Sequence, residues 1–203
     1  MITIVDYGVG NLFSLKSSFM TLGEEVTVTS DKDIILNAKK LILPGVGAFG
    51  DAVKKLRETG LFDVVKEYAK TGKPLLGICL GMQLLFSKSF EYGENEGLDL
   101  IKGNVVFMRD VVKDGLKIPQ MGWNSLVFTK KDNPLFKYVN EGEYVYFVHS
   151  YYATECDEAI TSYVDYGAQI TASVRKNNVY GCQFHPEKSG DVGLKILKAF
   201  CEI

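Results

Sequence analysis

Leu75-Leu76-Gly77-Ile78-Cys79-Leu80-Gly81-Met82-Gln83 is the stretch on which the reading of this chain turns. Leu75 to Ile78 has the texture of a central parallel strand buried on both faces, and a helix is expected to begin near Met82. Gly77 and Gly81 stand two places either side of Cys79. That spacing permits a sharp strand-to-helix turn and exposes a nucleophile at the carboxyl end of a sheet. A free thiol of pKa ~8.5 is only about 3% thiolate at pH 7, and a helix N-terminus or a nearby imidazolium raises that fraction. Taken alone, a Gly-x-Cys-x-Gly run fits a buried core cysteine between packing glycines equally well.

Upstream, short β-branched runs alternate with helical patterns. Thr3 to Asp6 reads as a strand, and Leu12, Leu15, Phe19 and Leu22 recur at helical spacing until Gly23. Strands follow at Val26 to Thr29 and Leu41 to Leu43, and helical stretches around Ala52 to Leu56 and Leu61 to Ala69 are stopped by Gly72. From about Gly103 the chain is richer in strands: Asn104 to Met108, Leu126 to Thr129, Tyr144 to Val148, Ile160 to Val164, Ile170 to Val174 and Val179 to Phe184. Gly167 and Asn177-Asn178 look like hairpin turns, and Leu194 to Cys201 like a closing helix. The expected fold is α/β: one domain over 1–203, a doubly wound mixed sheet with helices on both faces, and a strand-rich C-terminal half.

Composition sets the outer limits. At 203 residues, with 46% hydrophobic and 24% charged residues and a net charge of -2, the chain suits one packed core and is not basic enough for a phosphate-backbone binder. Pro74 to Phe86, the most apolar stretch, falls short of the ~20 apolar residues of a bilayer span. The N-terminus lacks the features of a signal peptide, so a cytoplasmic protein is expected. Cys79, Cys156, Cys182 and Cys201 show no metal-ligand or disulfide spacing, and free thiols are expected. The lysine pairs at 39–40, 54–55 and 130–131 read as solvated faces.

Gln183-Phe184-His185-Pro186-Glu187-Lys188-Ser189 closes the last strand. Pro186 biases His185 toward an extended conformation, and residues two apart on extended chain point the same way, so Glu187 can orient His185. Such a pair gives a nucleophile its base and the base its carboxylate. A capping turn is the plainer alternative. Pro44-Gly45-Val46-Gly47, after the Leu41 to Leu43 strand, leaves backbone N–H groups free to face an oxyanion beside the N–H of Leu80; as a lone motif it is also an ordinary turn. Gln83, one helical turn beyond Cys79, is placed to read a substrate amide or carboxylate. His149 in an apolar strand reads as a satisfied core residue or a group near an interface before it reads as a catalyst. Cys156 sits among acids that disfavour its thiolate, and Cys182 lies in a strand with no elbow.

Together these motifs resemble the class I (triad) glutamine amidotransferases. Within that family the chain is most similar, end to end, to the glutaminase subunits of imidazole glycerol phosphate synthase. Asp6 to Asn11, Leu43 to Gly47, Gly77 to Gln83, Pro119 to Asn124, Tyr146 to Tyr151 and Gln183 to Ser189 sit in the order those subunits show, and the discriminating segments are Met121-Gly122-Trp123-Asn124 and Tyr146-Phe147-Val148-His149. Gln120 stands where some members have histidine. The resemblance implies a catalytic triad of Cys79, His185 and Glu187, an oxyanion hole from Gly45, Val46, Gly47 and Leu80, and no metal or organic cofactor. It also implies a (β/α)8-barrel cyclase partner that takes the ammonia, with Asn11, Pro119, Met121, Trp123 and Lys188 facing it. From residue chemistry, the sole tryptophan beside Met121 fits an interface anchor, or else a core residue. Rival readings are the glutaminase of a related pathway such as surface-sugar amidation, a stand-alone γ-glutamyl hydrolase, and a non-catalytic binding subunit, against which the intact triad argues.

Overall fold

A computed structural model describes residues 1–130 and 132–203; Lys131, half of one expected solvated pair, lies outside the described residues. Lys39, Lys54, Lys55 and Lys130 are exposed. The first half runs β1 (Ile2–Val5), α1 (Leu12–Thr21), β2 (Val26–Thr29), α2 (Lys32–Asn37), β3 (Leu41–Leu43), α3 (Phe49–Glu58), α4 (Leu61–Lys70), β4 (Leu75–Ile78) and α5 (Leu80–Gln83). Strands then dominate: β5 (Phe86–Ser89), β6 (Asn95–Glu96), β7 (Ile101–Phe107), β8 (Gln120–Ser125), β9 (Val127–Phe128), β10 (Tyr144–His149), β11 (Tyr151–Thr154), β12 (Ile160–Asp165), β13 (Gln169–Lys176) and β14 (Val179–Cys182). Helix α6 (Gly190–Cys201) closes the chain.

Eight strands form the central sheet in the order β2-β1-β3-β4-β14-β13-β12-β9. The helical crossovers of the first half make β2, β1, β3 and β4 mutually parallel and β14 returns parallel to β4, whereas tight turns make β12, β13 and β14 antiparallel and β9 pairs antiparallel with β12. Alternate strand residues feed two cores. Ile2, Ile4, Ile42, Leu76 and Ile78 pack with Leu15 and Phe19 of α1 and Ile196 and Phe200 of α6. Leu41, Leu43 and Leu75 pack on the other face with Ile35 of α2, Leu56 of α3 and Tyr68 of α4. The mixed, doubly wound sheet read from the sequence is the observed one.

Several elements differ from the expectation. Helix α5 begins at Leu80, not Met82, and lasts one turn, because the chain leaves it at Leu84 for β5. Helix α2, capped by the Asp31 side chain accepting from the Ile34 N–H at 3.0 Å, was not foreseen. Nor were β5, β6, β8 and β11, which build a four-stranded sheet in the order β11-β7-β5-β6 and a β10–β8 ribbon. Strand β14 ends at Cys182, two residues before the expected Phe184, since the Gln183 and His185 N–H groups turn to the Ala172 and Tyr146 carbonyls. Among the described residues no helix is long and apolar enough to cross a membrane.

Candidate active site

Strand β4 delivers the site. Leu75, Leu76 and Ile78 are buried, and each such side chain contributes roughly 1.5–3 kcal/mol of transfer free energy. That anchorage offsets the strain of the next residue: Cys79 sits at φ 55, ψ -114, outside the ordinary regions for an L-residue, which costs roughly 1–3 kcal/mol. The flanking glycines permit the sharp turn as expected, but through their size and not through their φ. Neither has a positive φ; they are small so that the chain can fold back on itself. A Cβ on Gly77 would lie 2.6 Å from the Gly81 carbonyl oxygen, and one on Gly81 would collide with the Leu43 carbonyl. The strained backbone belongs to the cysteine.

His185 reaches the same place from β14, its N–H held by the Tyr146 carbonyl at 2.9 Å. Pro186–Lys188 forms a 3-10 turn rather than extended chain, and that turn, not strand alternation, brings Glu187 Oε1 within 2.8 Å of His185 Nδ1. Both side chains are almost wholly buried. Burial alone would depress the imidazole, but hydrogen bonds to Cys79 and Glu187, and the charges of both, outweigh it and raise the His185 pKa to about 10. With Nδ1–H given to Glu187, Nε2 is the nitrogen left for the sulfur. Cys79, His185 and Glu187 are therefore brought together, the His185–Glu187 pair hydrogen-bonded and Cys79 and His185 lining the same cavity.

A cavity of about 550 Å³ opens over this row, lined by Val46, Gly47, Leu80, Gln83 and Glu91 among others. The Leu80 N–H starts α5, where helical geometry leaves the first donors unused. Of the Pro44 to Gly47 loop, Val46 and Gly47 face the cavity and Gly45 does not. Gly45 is wedged where a Cβ would lie 2.8 Å from the Gly81 nitrogen, and the buried Tyr7 hydroxyl pins the loop by donating to the Pro44 carbonyl at 2.7 Å. Gly47, at φ 91, has open space around it. Gln83 is on the cavity wall, but its Nε2 donates to the Tyr151 carbonyl at 3.0 Å and to Gln183 Oε1 at 2.9 Å, so Oε1 is the atom left for a ligand.

Two polar residues of the site escaped sequence reading. Glu91 sits in a polar loop that reads as solvent-facing, yet it lines the cavity and accepts from the Phe49 N–H at 2.7 Å. Burial, opposed by that N–H and aided by Asp51, raises its pKa above the usual carboxylate range. Gln183, fully buried, points Nε2 at Cys79 Sγ from 3.7 Å. His149 lines the same cavity and is satisfied, with Nδ1 at 2.8 Å from the Tyr151 carbonyl; burial, opposed by that bond, lowers its pKa to about 4 and keeps it neutral.

The other thiols are poor nucleophiles. Burial first, and Asp157 second, push Cys156 up to about 12, so the neighbouring acids foreseen from sequence are the minor cause. Burial also raises Cys182 well above the ordinary thiol value and Cys201 to about 12. A larger cavity of about 730 Å³, beside Cys156 and Arg175, holds no base positioned against a thiolate, so chemistry and not size identifies the site. Of the residues expected to face a partner, Met121 and Trp123 are 67% and 51% exposed on β8, with Pro119 and Lys188 exposed nearby. Trp123 packs edge-on to Tyr146 at 6.0 Å and is not a core residue. Asn11 caps α1, its side chain accepting from the Ser14 N–H at 3.4 Å.

The profile of the family described as glutamine amidotransferase class-I matches residues 3–202. The chain belongs to the class-I glutamine amidotransferases. It is 52% identical to the imidazole glycerol phosphate synthase subunit HisH of Caldanaerobacter subterraneus subsp. tengcongensis, over 100% of this chain and 98% of that one. Its identity to the HisH subunit of Wolinella succinogenes is 48%, over the whole of both chains. Among solved structures, a crystal structure of a glutamine amidotransferase superposes with a TM-score of 0.75 at 21% identity, covering 99% of this chain and 100% of the other. PurLQS of Thermotoga maritima superposes with a TM-score of 0.74 at 20% identity, covering 99% and 97%. These two likenesses speak for the class-I amidotransferase fold.

Proposed function

We propose that this chain is the glutaminase subunit of imidazole glycerol phosphate synthase in histidine biosynthesis, hydrolysing glutamine and passing ammonia to a (β/α)8 cyclase partner in the cytoplasm. The observation that carries the chemistry is the strained Cys79 elbow lining one cavity with His185, itself held by Glu187 at 2.8 Å. The near 50% identity to HisH subunits over the whole chain supports the pathway.

In this reading the Cys79 thiolate attacks the side-chain amide carbon of glutamine. The oxygen gains negative charge and is met by the Leu80 N–H and an N–H of the Val46-Gly47 segment. The charged His185 protonates the departing nitrogen, the C–N bond breaks, and a γ-glutamyl thioester remains. Neutral His185 then takes a proton from water, which opens the thioester to glutamate and returns the thiolate. Glu187 holds the ring in one tautomer throughout. Glu91 and Gln83 Oε1, acceptors on the cavity wall, suit the substrate's ammonium group. The deciding assay measures glutamate release by the free subunit, by its complex with the cognate cyclase, and by that complex with cyclase ligand; absence of glutaminase activity in all three overturns the reading.

The oxyanion loop is expected to be the switch. Gly47 at φ 91 with open space around it lets the Val46–Gly47 peptide rotate at small cost, while Tyr7 and Gly45 fix the rest of the loop. One oxyanion donor is typically worth ~10²- to 10³-fold in turnover. The free subunit is therefore expected to be a poor glutaminase, stimulated by that order on cyclase docking and ligation, and Gly47→Ala, which penalises positive φ, should blunt the stimulation. Gly45→Ala is an unsuitable probe, since its Cβ meets backbone. Full activity in the free subunit, or normal stimulation of Gly47→Ala, removes the loop from regulation.

Trp123→Ala and Lys188→Ala are expected to weaken cyclase binding or uncouple the activities while leaving the melting temperature near wild type, because both side chains reach solvent. A buried interface aromatic is commonly worth ~2 kcal/mol or more, about thirtyfold in Kd. Titration of each variant against the cyclase checks this; unchanged affinity and coupling in both would put the docking face elsewhere.

A further inference from the structure

Gln183 is the one amide side chain aimed at the nucleophile among the described residues, and its direction is not free. The Tyr151 carbonyl can only accept, so the Gln83 group 3.0 Å from it is an NH2. That NH2 gives its other hydrogen to Gln183 2.9 Å away, which must present its oxygen. The NH2 of Gln183 is then left facing Cys79 Sγ at 3.7 Å, within range for a donor to sulfur. The row also continues outward. The Tyr151 carbonyl accepts a second bond, from His149 Nδ1 at 2.8 Å; His149 Nε2 meets the Gln120 amide at 3.1 Å; Gln120 pairs with Asn124 at 2.8 Å. Gln120 and Asn124 lie on β8 and flank the exposed Met121 and Trp123. Gln120 faces His149 Nε2 with Oε1 and donates its NH2 to Asn124 Oδ1; a neutral His149 ring that gives Nδ1–H to Tyr151 can only accept at Nε2, which requires both the Gln120 and Asn124 amides to be turned over.

We propose that Gln183 is a thiol-positioning residue, donating a hydrogen bond to the Cys79 thiolate, and that its amide is held in that sense by a buried hydrogen-bond row running from β8 through Gln120, His149, the Tyr151 carbonyl and Gln83. The proposal rests on the glutaminase reading of Cys79. It adds to the triad a second donor that favours the charged sulfur, from the side opposite in chemistry to His185: a neutral dipole that neither titrates nor leaves with the proton. It also makes the strand that carries the exposed Trp123 continuous, by hydrogen bonds, with the reacting sulfur.

Burial supports a defined role. Gln120 and Gln183 are wholly buried and Gln83 and His149 nearly so. Buried amides of this kind are costly unless satisfied, so each bond in the row constrains the next. Breaking the row at Gln120 leaves His149 Nε2 unpaired and frees the ring to lean; breaking it at Gln83 lets the Gln183 amide turn its oxygen to the sulfur, where it repels a thiolate.

The test reads the thiol itself. Carboxamidomethylation of Cys79 by iodoacetamide, quantified on the Cys79 peptide by mass spectrometry, is followed from pH 5 to 10 in the full chain, with Cys79→Ala as the blank. The titratable groups facing the sulfur are His185 and Glu187 on the following turn, Cys182 on β14, Tyr7 after β1, Glu91 across the cavity, and His149 through His185; all are unaltered in the variants used. Gln183→Met, similar in shape without a donor, is expected to move the profile up by about one pH unit, a tenfold change in the ionisation constant, and so to slow alkylation by up to about tenfold on the limb below the midpoint. Gln120→Met is expected to slow it about threefold in the wild-type background and not at all in Gln183→Met, as residues in one network behave. The pH midpoint does not depend on the folded fraction, so it stays informative if Gln183→Met is less stable. A wild-type midpoint in Gln183→Met overturns the proposal, as do additive effects of the two substitutions or a Gln120→Met profile equal to wild type. Failure of the glutaminase reading looks different: wild-type chain with its cyclase would release no glutamate, whatever the alkylation profiles.

Discussion

Cys79→Ala is expected to abolish glutamine-dependent turnover, by on the order of 10⁶-fold as nucleophile removal does in other triad hydrolases, while the complex still uses added ammonium. The substitution takes away the sulfur that shares a cavity with His185 and nothing that the cyclase needs. It also removes a side chain from a strained elbow, φ 55, which alanine tolerates no better, so the fold should be retained with a small change in stability. Cys156→Ala and Cys182→Ala serve as comparisons, since burial holds both thiols protonated; their glutaminase activity should track their stability. The measurement is synthase turnover with glutamine and, separately, with ammonium salt. If Cys79→Ala loses both activities, the division of labour between the subunits is wrong. Equal loss in Cys182→Ala would move the nucleophile to the neighbouring strand.

How much of this was legible before the structure depends on which forces a residue pattern reports. The apolar run Leu75 to Ile78 and the helical spacing of Leu15 and Phe19 report burial, and the central sheet with its two cores follows them closely. Burial patterns report less where a segment is apolar on every side. Leu80 to Phe86 contains a one-turn helix, a turn and the start of a strand, all buried, and periodicity cannot divide them. Strand β8 was hidden by the opposite problem, since Gln120 and Asn124 point into a polar network and Met121 and Trp123 into solvent, reversing the usual alternation. At the site, the triad residues were recognisable by type and order. The reasons given for two of them were not: Glu187 meets His185 through a 3-10 turn, and Gly77 and Gly81 are demanded by close backbone approach. Glu91 and Gln183 had no signal of their own, because a glutamate in a loop and a glutamine just past a strand acquire meaning only when long-range folding brings them into contact with Phe49, 42 residues away in sequence, and Cys79, 104 residues away.

His185→Asn is expected to cost far more than Glu187→Gln. Asparagine removes the proton carrier for both halves of the reaction, and general acid–base catalysis is typically worth ~10²- to 10⁴-fold. Glutamine at 187 can still present an oxygen to His185 Nδ1, so the tautomer survives and the loss should be smaller by at least about tenfold. What Glu187→Gln does remove is charge, and the sign of its effect follows from the pKa. His185 is raised to about 10 against burial by its bonds to Cys79 and Glu187 and by their charges. Removing the Glu187 charge lowers that value, and because the imidazolium is the acid that protonates ammonia, the alkaline limb of kcat/KM should move to lower pH. Stability moves with it: a histidine whose folded pKa exceeds its unfolded 6.5 contributes fully below pH 6.5 and loses that contribution as pH rises toward 10. The thermal stability of Glu187→Gln should therefore depend less on pH across that window than the wild type does. Profiles of kcat/KM and of melting temperature from pH 6 to 10 decide the matter. A larger loss in Glu187→Gln than in His185→Asn at saturating glutamine, or an alkaline limb that moves upward, would reverse the assigned roles.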